Sequence, residues 1–300
     1  MSVPTDQKPS RSAFSVMSSA LITATFATAL AVAGTAAPPA TAAPADAVRA
    51  TAGHANTARV STHTDGSGAP TYRVYATREG LVGHTTANGH RIRKNDHFVA
   101  LPSRLGLSAK GEGARSVRVC APATSRCEYA PVWDVGPWNI EDNYWNSAPH
   151  RERFADLPRG VPEAQAAYYD DYNGGKDGFG RVVRNPAGID LADGMFWDGL
   201  GLTDNSWVDV TFLWLGDGPT GTIRTGTRWP LNVRSGPGTS YARSGLAAAG
   251  TRVTIQCTVW GEWVDGHLGS TPLWNKIGPG HFVSDAYTRT GTGRPVAPAC

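Results

Sequence analysis

Four cysteines, placed in two separate groups, constrain the fold of this chain more than any other feature. Cys120 and Cys127 lie close together near the middle, and Cys257 and Cys300 lie in the C-terminal part. This spacing predicts one disulfide bridge within each of two small modules, Cys120–Cys127 and Cys257–Cys300. A zinc site built from all four thiolates is the alternative, but it would have to join both modules and the chain has no C-x-x-C pair.

Residues 1–42 have the features of a secretory signal peptide. Lys8 and Arg11 make the start positive, an apolar run follows, and Ala40-Thr41-Ala42 is a small-residue cleavage pattern. A membrane anchor is the alternative, but the densest apolar stretch is only about 13 residues long, whereas a spanning helix needs about 20. We therefore expect export, cleavage before Ala43 and no membrane attachment afterwards. Export to an oxidising compartment agrees with the two predicted disulfides.

Composition divides the rest of the chain into a linker and two domains. Residues 43–70 are mostly small or polar and cannot bury enough apolar surface to offset the entropy lost on ordering, so we expect a disordered linker. The Gly- and Pro-rich stretch 215–221 separates two β-rich regions, which predicts domains at 71–215 and 222–300. The formal net charge of +3, without a Lys/Arg cluster, argues against a nucleic-acid partner.

Hydrophobic alternation predicts a mainly β fold. Strands are expected at 116–120, 130–135 and 208–214, where apolar and polar side chains alternate. One helix is expected to begin at Pro162 and end near Asn173, and a second, short one over 191–200. Short strands with one or two helices favour a small β-barrel, followed by a second small β-barrel of about 75 residues.

The C-terminal unit resembles the bacterial SH3 (SH3b) family, and its ending resembles the branch found in secreted actinobacterial proteins. The segment 231–241, LNVRSGPGTSY, and the ending from His281-Phe282-Val283-Ser284-Asp285-Ala286-Tyr287 to Cys300 carry the resemblance. It implies a small barrel that binds peptidoglycan or its peptides and targets an attached domain. It does not imply catalysis.

Residues 72–215 are similar to double-psi β-barrels of the rare-lipoprotein-A, barwin and expansin type. Four segments carry this resemblance in matching order: GHTTANG at 83–89, HFVALP at 97–102, VWDVGPW at 132–138, and IDL at 189–191 followed by LGL at 200–202. A polar insertion at about 140–185 departs from the family pattern. So does His90, because the wall-cleaving relatives usually carry an acid just after the Asn-Gly. The resemblance therefore implies the fold more than a lytic activity.

Asp134 is the residue that the pattern singles out for chemistry. It lies in an apolar strand between Trp133 and Val135, and burial raises a carboxyl pKa, which suits a general acid near neutral pH. A lytic, non-hydrolytic cleavage of a glycosidic bond could use one such Asp. The alternative is a structural role, in which backbone N–H groups donate to Asp134 and lower its pKa.

Two further residues are candidate partners of Asp134. His97 could act as general acid or base because an imidazole titrates near neutral pH, although a solvated or core-capping histidine fits as well. Asp190 could supply the second carboxylate of a hydrolytic pair, which requires a separation of about 5–9.5 Å. Its position before Leu191 also fits a helix N-cap, which we favour.

Aromatic residues crowd the segment after Asp134. Trp138, Tyr144 and Trp145 follow Gly136-Pro137 and are candidate glycan-binding residues, because sugars present apolar C–H faces to aromatic rings. Ordinary core packing is the alternative for each of them, as it is for Trp133.

No metal or cofactor is expected. His84, His90 and His97 lack H-x-x-x-H or H-E-x-x-H spacing. The segment 170–178 faintly resembles a calcium loop, but it lacks the D-x-D-x-D-G register and the Glu at the twelfth position, so we interpret it as a polar turn.

These patterns predict a secreted, cell-wall-associated monomer that binds peptidoglycan or a related wall glycan. The first alternative is a wall-remodelling enzyme, lytic-transglycosylase-like or expansin-like, that uses Asp134 with His97. The second is a secreted structural or interaction protein with neither activity.

Overall fold

Six strands of the first module close into a β-barrel in the computed structural model, which describes residues 66–300. The strands are β1 Thr71–Arg78, β2 Val99–Leu101, β3 Ser116–Ala121, β4 Arg126–Val135, β5 Ala187–Leu191 and β6 Ser206–Phe212. They are hydrogen-bonded in the circular order β1–β6–β3–β4–β2–β5–β1, with β1/β5 and β2/β4 parallel and the other pairs antiparallel. The mainly β, barrel-type fold is confirmed.

The barrel core follows the predicted alternation. Val208, Val210 and Phe212 on β6 are fully buried, as are Val117 and Val119 on β3. Two aromatic residues from the insertion, Tyr144 and Trp145, complete this core. The insertion at 140–185 is therefore polar on average but supplies part of the barrel's interior.

The first predicted helix is present and the second is not. Helix α1 spans Glu163–Asp170, directly after Pro162. Asp142 accepts a hydrogen bond from the Glu163 N–H at 2.6 Å and pairs with the buried Arg151. The expected helix over 191–200 is replaced by the end of β5 and a single wide helical turn at Met195–Gly199, since Leu191 is held in the sheet.

Eight strands form the second module. They are β7 Thr220–Ile223, β8 Leu231–Arg234, β9 Arg243–Ala247, β10 Arg252–Thr254, β11 Cys257–Gly266, β12 Gly269–Gly278, β13 His281–Ser284 and β14 Thr288–Arg289. Strands β11–β12–β13–β8–β9 are consecutive in one sheet, and β10–β7–β14 form a second. Strand β9 also pairs in parallel with β4, so one sheet continues from the barrel into the second module.

Both predicted disulfides are confirmed, Cys120–Cys127 across β3 and β4, and Cys257–Cys300 between β11 and the C-terminus. No helix among residues 66–300 is long and apolar enough to span a membrane. The predicted signal peptide and most of the predicted linker lie outside the described residues.

Candidate functional site

Four neighbouring barrel strands bring the candidate carboxylates into one row. Asp134 on β4 is paired with Ala100 on β2, Ala100 with Asp190 on β5, and Asp190 with Thr77 on β1. Adjacent strands lie about 4.8 Å apart, so the Asp134 and Asp190 backbones, two strands apart, are about 10 Å from each other. The closure of the barrel thus places together two acids that are 56 residues apart in the sequence.

Glu79 joins these two acids, and we call Glu79, Asp134 and Asp190 the carboxyl cluster. Glu79 follows the end of β1, and both of its carboxyl oxygens are shielded from solvent. Burial, reinforced by the Asp134 carboxylate beside it and by Asp190, raises the pKa of Glu79 to about 10. Glu79 is therefore protonated at neutral pH and holds a proton next to Asp134.

Asp134 is tied to two backbone amides. Its Oδ1 accepts hydrogen bonds from the N–H of Ala87 and from its own neighbour Val135, each at 2.8 Å. Ala87 lies in the 83–89 segment that the family resemblance singled out, so Asp134 anchors that loop to the barrel. The Asp134 carboxylate therefore both accepts these structural hydrogen bonds and raises the pKa of Glu79.

Asp190 lies within β5, which corrects the favoured interpretation as a helix N-cap. The Thr77 hydroxyl donates to its Oδ1. Burial raises the pKa of Asp190 to about 6; the Thr77 hydrogen bond opposes this, and the Asp134 carboxylate adds to it. Asp190 can thus change its protonation state in mildly acidic conditions.

His97 does not join the carboxyl cluster. It is buried, and its Nδ1 lies 2.7 Å from Oε1 of the buried Glu128. Burial disfavours the charged ring, but the Glu128 carboxylate outweighs this and raises the pKa of His97. Glu128 and Asp134 are both on β4, six residues apart, which is about 20 Å along an extended strand.

His97 and Glu128 form a buried pair that is separate from the carboxyl cluster. A Cβ at Gly199 would lie 1.5 Å from Glu128 Oε2, so a larger residue there would displace the Glu128 carboxylate. The sequence offered no means of pairing His97 with Glu128, because the two residues meet only through the packing of the strand ends.

Two of the three candidate glycan-binding aromatic residues lie in the barrel core, as the core-packing alternative predicted. Tyr144 is 0 % exposed and Trp145 is 1 % exposed, and both pack against Phe212 inside the barrel. Neither can stack on a glycan. Trp138 is partly buried, and its indole N–H donates to Asn185 at 3.1 Å.

An exposed aromatic residue that sequence reasoning missed lies beside Arg78, at the end of β1. Trp197 is 45 % exposed, and the Arg78 guanidinium lies over its ring at 5.6 Å. Arg78 also pairs with Asp193 at 2.7 Å. Neither Glu79 nor Trp197 belongs to any of the four family-like segments, so only the three-dimensional structure shows them.

A groove of about 470 Å³ in the second module is lined by aromatic and polar side chains. Trp229, which is 50 % exposed, and the partly buried Tyr287 supply accessible rings, and the buried Trp274 also lines the groove. Thr239 lines the same groove and is held by Glu262, which accepts hydrogen bonds from its N–H and its hydroxyl at 2.6 and 2.5 Å. The groove thus combines aromatic faces with polar side chains, one of which, Thr239, is held in place by hydrogen bonds to Glu262.

No group of three or more metal-ligating side chains occurs within residues 66–300. In the segment 170–178, Asp177 is instead paired with Arg181 at 2.6 Å and accepts the N–H groups of Phe179 and Arg181. These hydrogen bonds close a polar turn.

The described residues thus form a closed six-stranded β-barrel that carries the carboxyl cluster and is joined to a second β module. A family model described as a domain of unknown function, DUF8814, matches residues 70–211. Over 88 residues the chain is 41 % identical to "Uncharacterized protein YraI" of Bacillus subtilis (strain 168), spanning 26 % of this chain and 73 % of that protein. "Uncharacterized protein YraJ" of the same strain is 36 % identical over 87 residues, spanning 26 % of this chain and 74 % of that protein.

Through this shared segment the chain belongs to the YraI family. Among solved structures, it is similar to a Clavibacter michiganensis expansin in complex with cellohexaose, with a TM-score of 0.25 and 12 % identity, over 72 % of this chain and 96 % of that one. The apo form of that expansin gives the same TM-score and coverage at 14 % identity.

Proposed function

We propose that this protein acts outside the cell by binding peptidoglycan or a related wall glycan, with the second module, an SH3b-like domain, as the targeting module. The groove lined by Trp229, Trp274 and Tyr287 is the observation that carries the proposal. Ligand sites are concave, with apolar and aromatic walls and a few well-placed polar groups, and this groove has that composition. The resemblance of the 231–241 segment to SH3b domains supports the same assignment.

The polar rim suits a wall fragment that carries both sugar and peptide. Asn232, Arg234 and Asp265 line the groove beside the aromatic rings. Their amide, guanidinium and carboxylate groups can hydrogen-bond to hydroxyl, carboxylate and amide groups of a muropeptide. The rings of Trp229 and Tyr287 offer stacking faces to its apolar parts.

Co-sedimentation with purified peptidoglycan tests this assignment. Trp229→Ala removes an exposed ring from the groove and is expected to lower the bound fraction at least fivefold. Trp197→Ala is the matched control, because it removes an exposed tryptophan from the other module. Loss of binding in Trp197→Ala with Trp229→Ala unchanged would move the glycan site to the barrel and contradict the targeting role.

A second function, wall remodelling by the barrel, is favoured by the carboxyl cluster. Asp134 accepts two N–H groups and lies beside Glu79, whose proton is held at neutral pH. A carboxyl group that keeps its proton beside a second carboxyl group is an arrangement that can serve general acid–base catalysis. In this account the Glu79–Asp134 pair gives its proton to the leaving glycosidic oxygen and takes one back from the attacking hydroxyl group, and Asp190 sets the charge around the pair.

A further inference from the structure

A cleft of about 370 Å³ lies where the two modules meet. Its barrel side comprises residues 112–114, and its other side comes from β7, β10 and β14 of the second module. The cleft contains neither the carboxyl cluster nor the aromatic groove, and no sequence motif pointed to it.

One face of the three-stranded sheet gathers positive charge in this cleft. Strand pairing places Arg252 and Arg289 on either side of Thr222, in one row across β10, β7 and β14. Two strand spacings separate the two arginines by about 10 Å at the backbone. Arg224 follows Thr222 by two residues, and all four residues line the cleft.

The three arginines are not neutralised by the protein. Within residues 66–300, none of Arg224, Arg252 and Arg289 has a carboxylate within ion-pair distance. Glu112 is the one acid among the lining residues. The described cleft therefore carries an excess of two positive charges.

One guanidinium donor in this set lacks an acceptor altogether. The Nε of Arg224 is shielded from solvent and has no hydrogen-bond partner in the described part of the chain. A buried donor without an acceptor is destabilising, so an acceptor supplied by a ligand would be favourable here. By contrast, Arg252 Nε donates to Thr220 at 3.0 Å, which fixes its side chain along the wall.

The two walls of the cleft are held in place before any ligand binds. The Arg252 N–H donates to the Ser116 hydroxyl on β3 at 3.1 Å. A Cβ at Gly113 would lie 2.1 Å from the Gly250 carbonyl oxygen, so the two backbones touch here and require glycine. A ligand would therefore meet a preformed set of donors, which reduces the ordering cost of binding.

We propose that this inter-module cleft binds a phosphate group, with Arg224, Arg252 and Arg289 as its ligands and Thr222 as a hydroxyl donor. Guanidinium groups bind phosphate oxygens through paired N–H donors. A tetrahedral phosphate or phosphodiester presents acceptor oxygens in several directions and can engage donors on three strands at once. The phosphate can be free or can belong to a phosphodiester-linked anionic polymer.

Titration calorimetry of the full chain at low ionic strength tests the proposal with two probes, inorganic phosphate and a soluble glycerol-phosphate oligomer. The double variant Arg252→Gln/Arg289→Gln is expected to weaken binding at least tenfold. Arg243→Gln, an exposed arginine on β9 outside the cleft, is the matched control and should bind like the wild type. Circular dichroism checks that all variants keep the fold.

Binding of inorganic phosphate alone would identify free phosphate as the ligand, and tighter binding of the oligomer would identify the polymer; both support the site. Binding of neither probe would overturn the proposal, and so would undiminished binding by the double variant. The glycan assignment of the aromatic groove does not depend on either outcome.

Discussion

The hydroxyl of Tyr129, on β4 of the barrel, lies 2.7 Å from Nδ1 of His281, on β13 of the second module. Tyr129 is fully buried, and it packs in the second module's core with Ile223, Val233 and Ile277. Its carbonyl accepts the Ala248 N–H at 2.8 Å. A barrel residue therefore completes the interior of its neighbour, and the two modules share structure.

Removal of this side chain should destabilise the second module. We expect Tyr129→Ala to lower the free energy of unfolding by about 3–5 kcal/mol, because it leaves a large cavity in a closed core. Tyr168→Ala, at a half-exposed position on α1, should cost much less. Urea unfolding followed by circular dichroism measures both; equal, small effects would contradict the shared core.

Residues 222–300 are not expected to be stable alone, although they contain their own strands and their own disulfide. The isolated segment lacks Tyr129 and Leu213, two members of its core, and loses the β4 partner of β9. Urea unfolding of this segment should give a midpoint well below that of the full chain. A cooperative transition at the same midpoint would show that the modules are independent.

The sequence predicted features that depend on local pattern or on simple counting. The alternation on β6, the start of α1 after Pro162 and both disulfides were predicted because each is encoded over a few residues or by four cysteines. It did not reveal Glu79, because its role arises from the parallel pairing of β1 with β5, which no local signal specifies. It misplaced Tyr144 and Trp145 for a similar reason, since a Trp in a polar segment looks the same whether it faces solvent or a core.

The carboxyl cluster should make stability depend on pH. The pKa of Glu79 is about 10 in the folded protein against an ordinary value near 4.5, so folding takes up a proton above that lower value. Because of this shift, the free energy of unfolding falls as the pH rises. The loss is absent below about pH 4 and reaches about 3 kcal/mol at pH 7. Asp190, with a pKa of about 6, adds a smaller effect of the same sign between about pH 4 and 6.

Glu79→Gln tests this directly. The amide is neutral at every pH, so the variant should be more stable than the wild type at pH 8 and show a flatter profile of stability between pH 5 and 9. Glu141→Gln is the control, since Glu141 is 53 % exposed at its side chain and should leave the profile unchanged. A wild-type profile in Glu79→Gln would mean that Glu79 ionises normally.

The two disulfides should contribute unequally. Cys257 and Cys300 are 43 residues apart, whereas Cys120 and Cys127 are seven apart. Chain-entropy estimates give about 4 and about 2.5 kcal/mol respectively. Urea unfolding of the two Cys→Ser pairs should therefore show the larger loss for Cys257/Cys300; the reverse order would show that local hairpin closure dominates.

The Asp134→Asn variant distinguishes a barrel that cleaves wall glycan from a barrel that has no enzymatic activity. The Asn side-chain oxygen can still accept the Ala87 and Val135 N–H groups, so the fold should persist, but the proton-exchanging carboxylate is gone. If the barrel is catalytic, release of soluble muropeptides from walls should fall by roughly 10²–10⁴-fold with melting unchanged. A wild-type protein that releases nothing from mildly acidic to neutral pH would contradict the enzymatic account and leave binding as the function.

A binding isotherm of the full chain on purified, insoluble peptidoglycan at physiological salt decides whether this protein is a wall-glycan binder. We expect saturable retention that Trp229→Ala strongly reduces and that soluble muropeptides abolish by competition. Retention no greater than that of a control protein of similar charge would contradict the assignment of this protein as a wall-glycan binder.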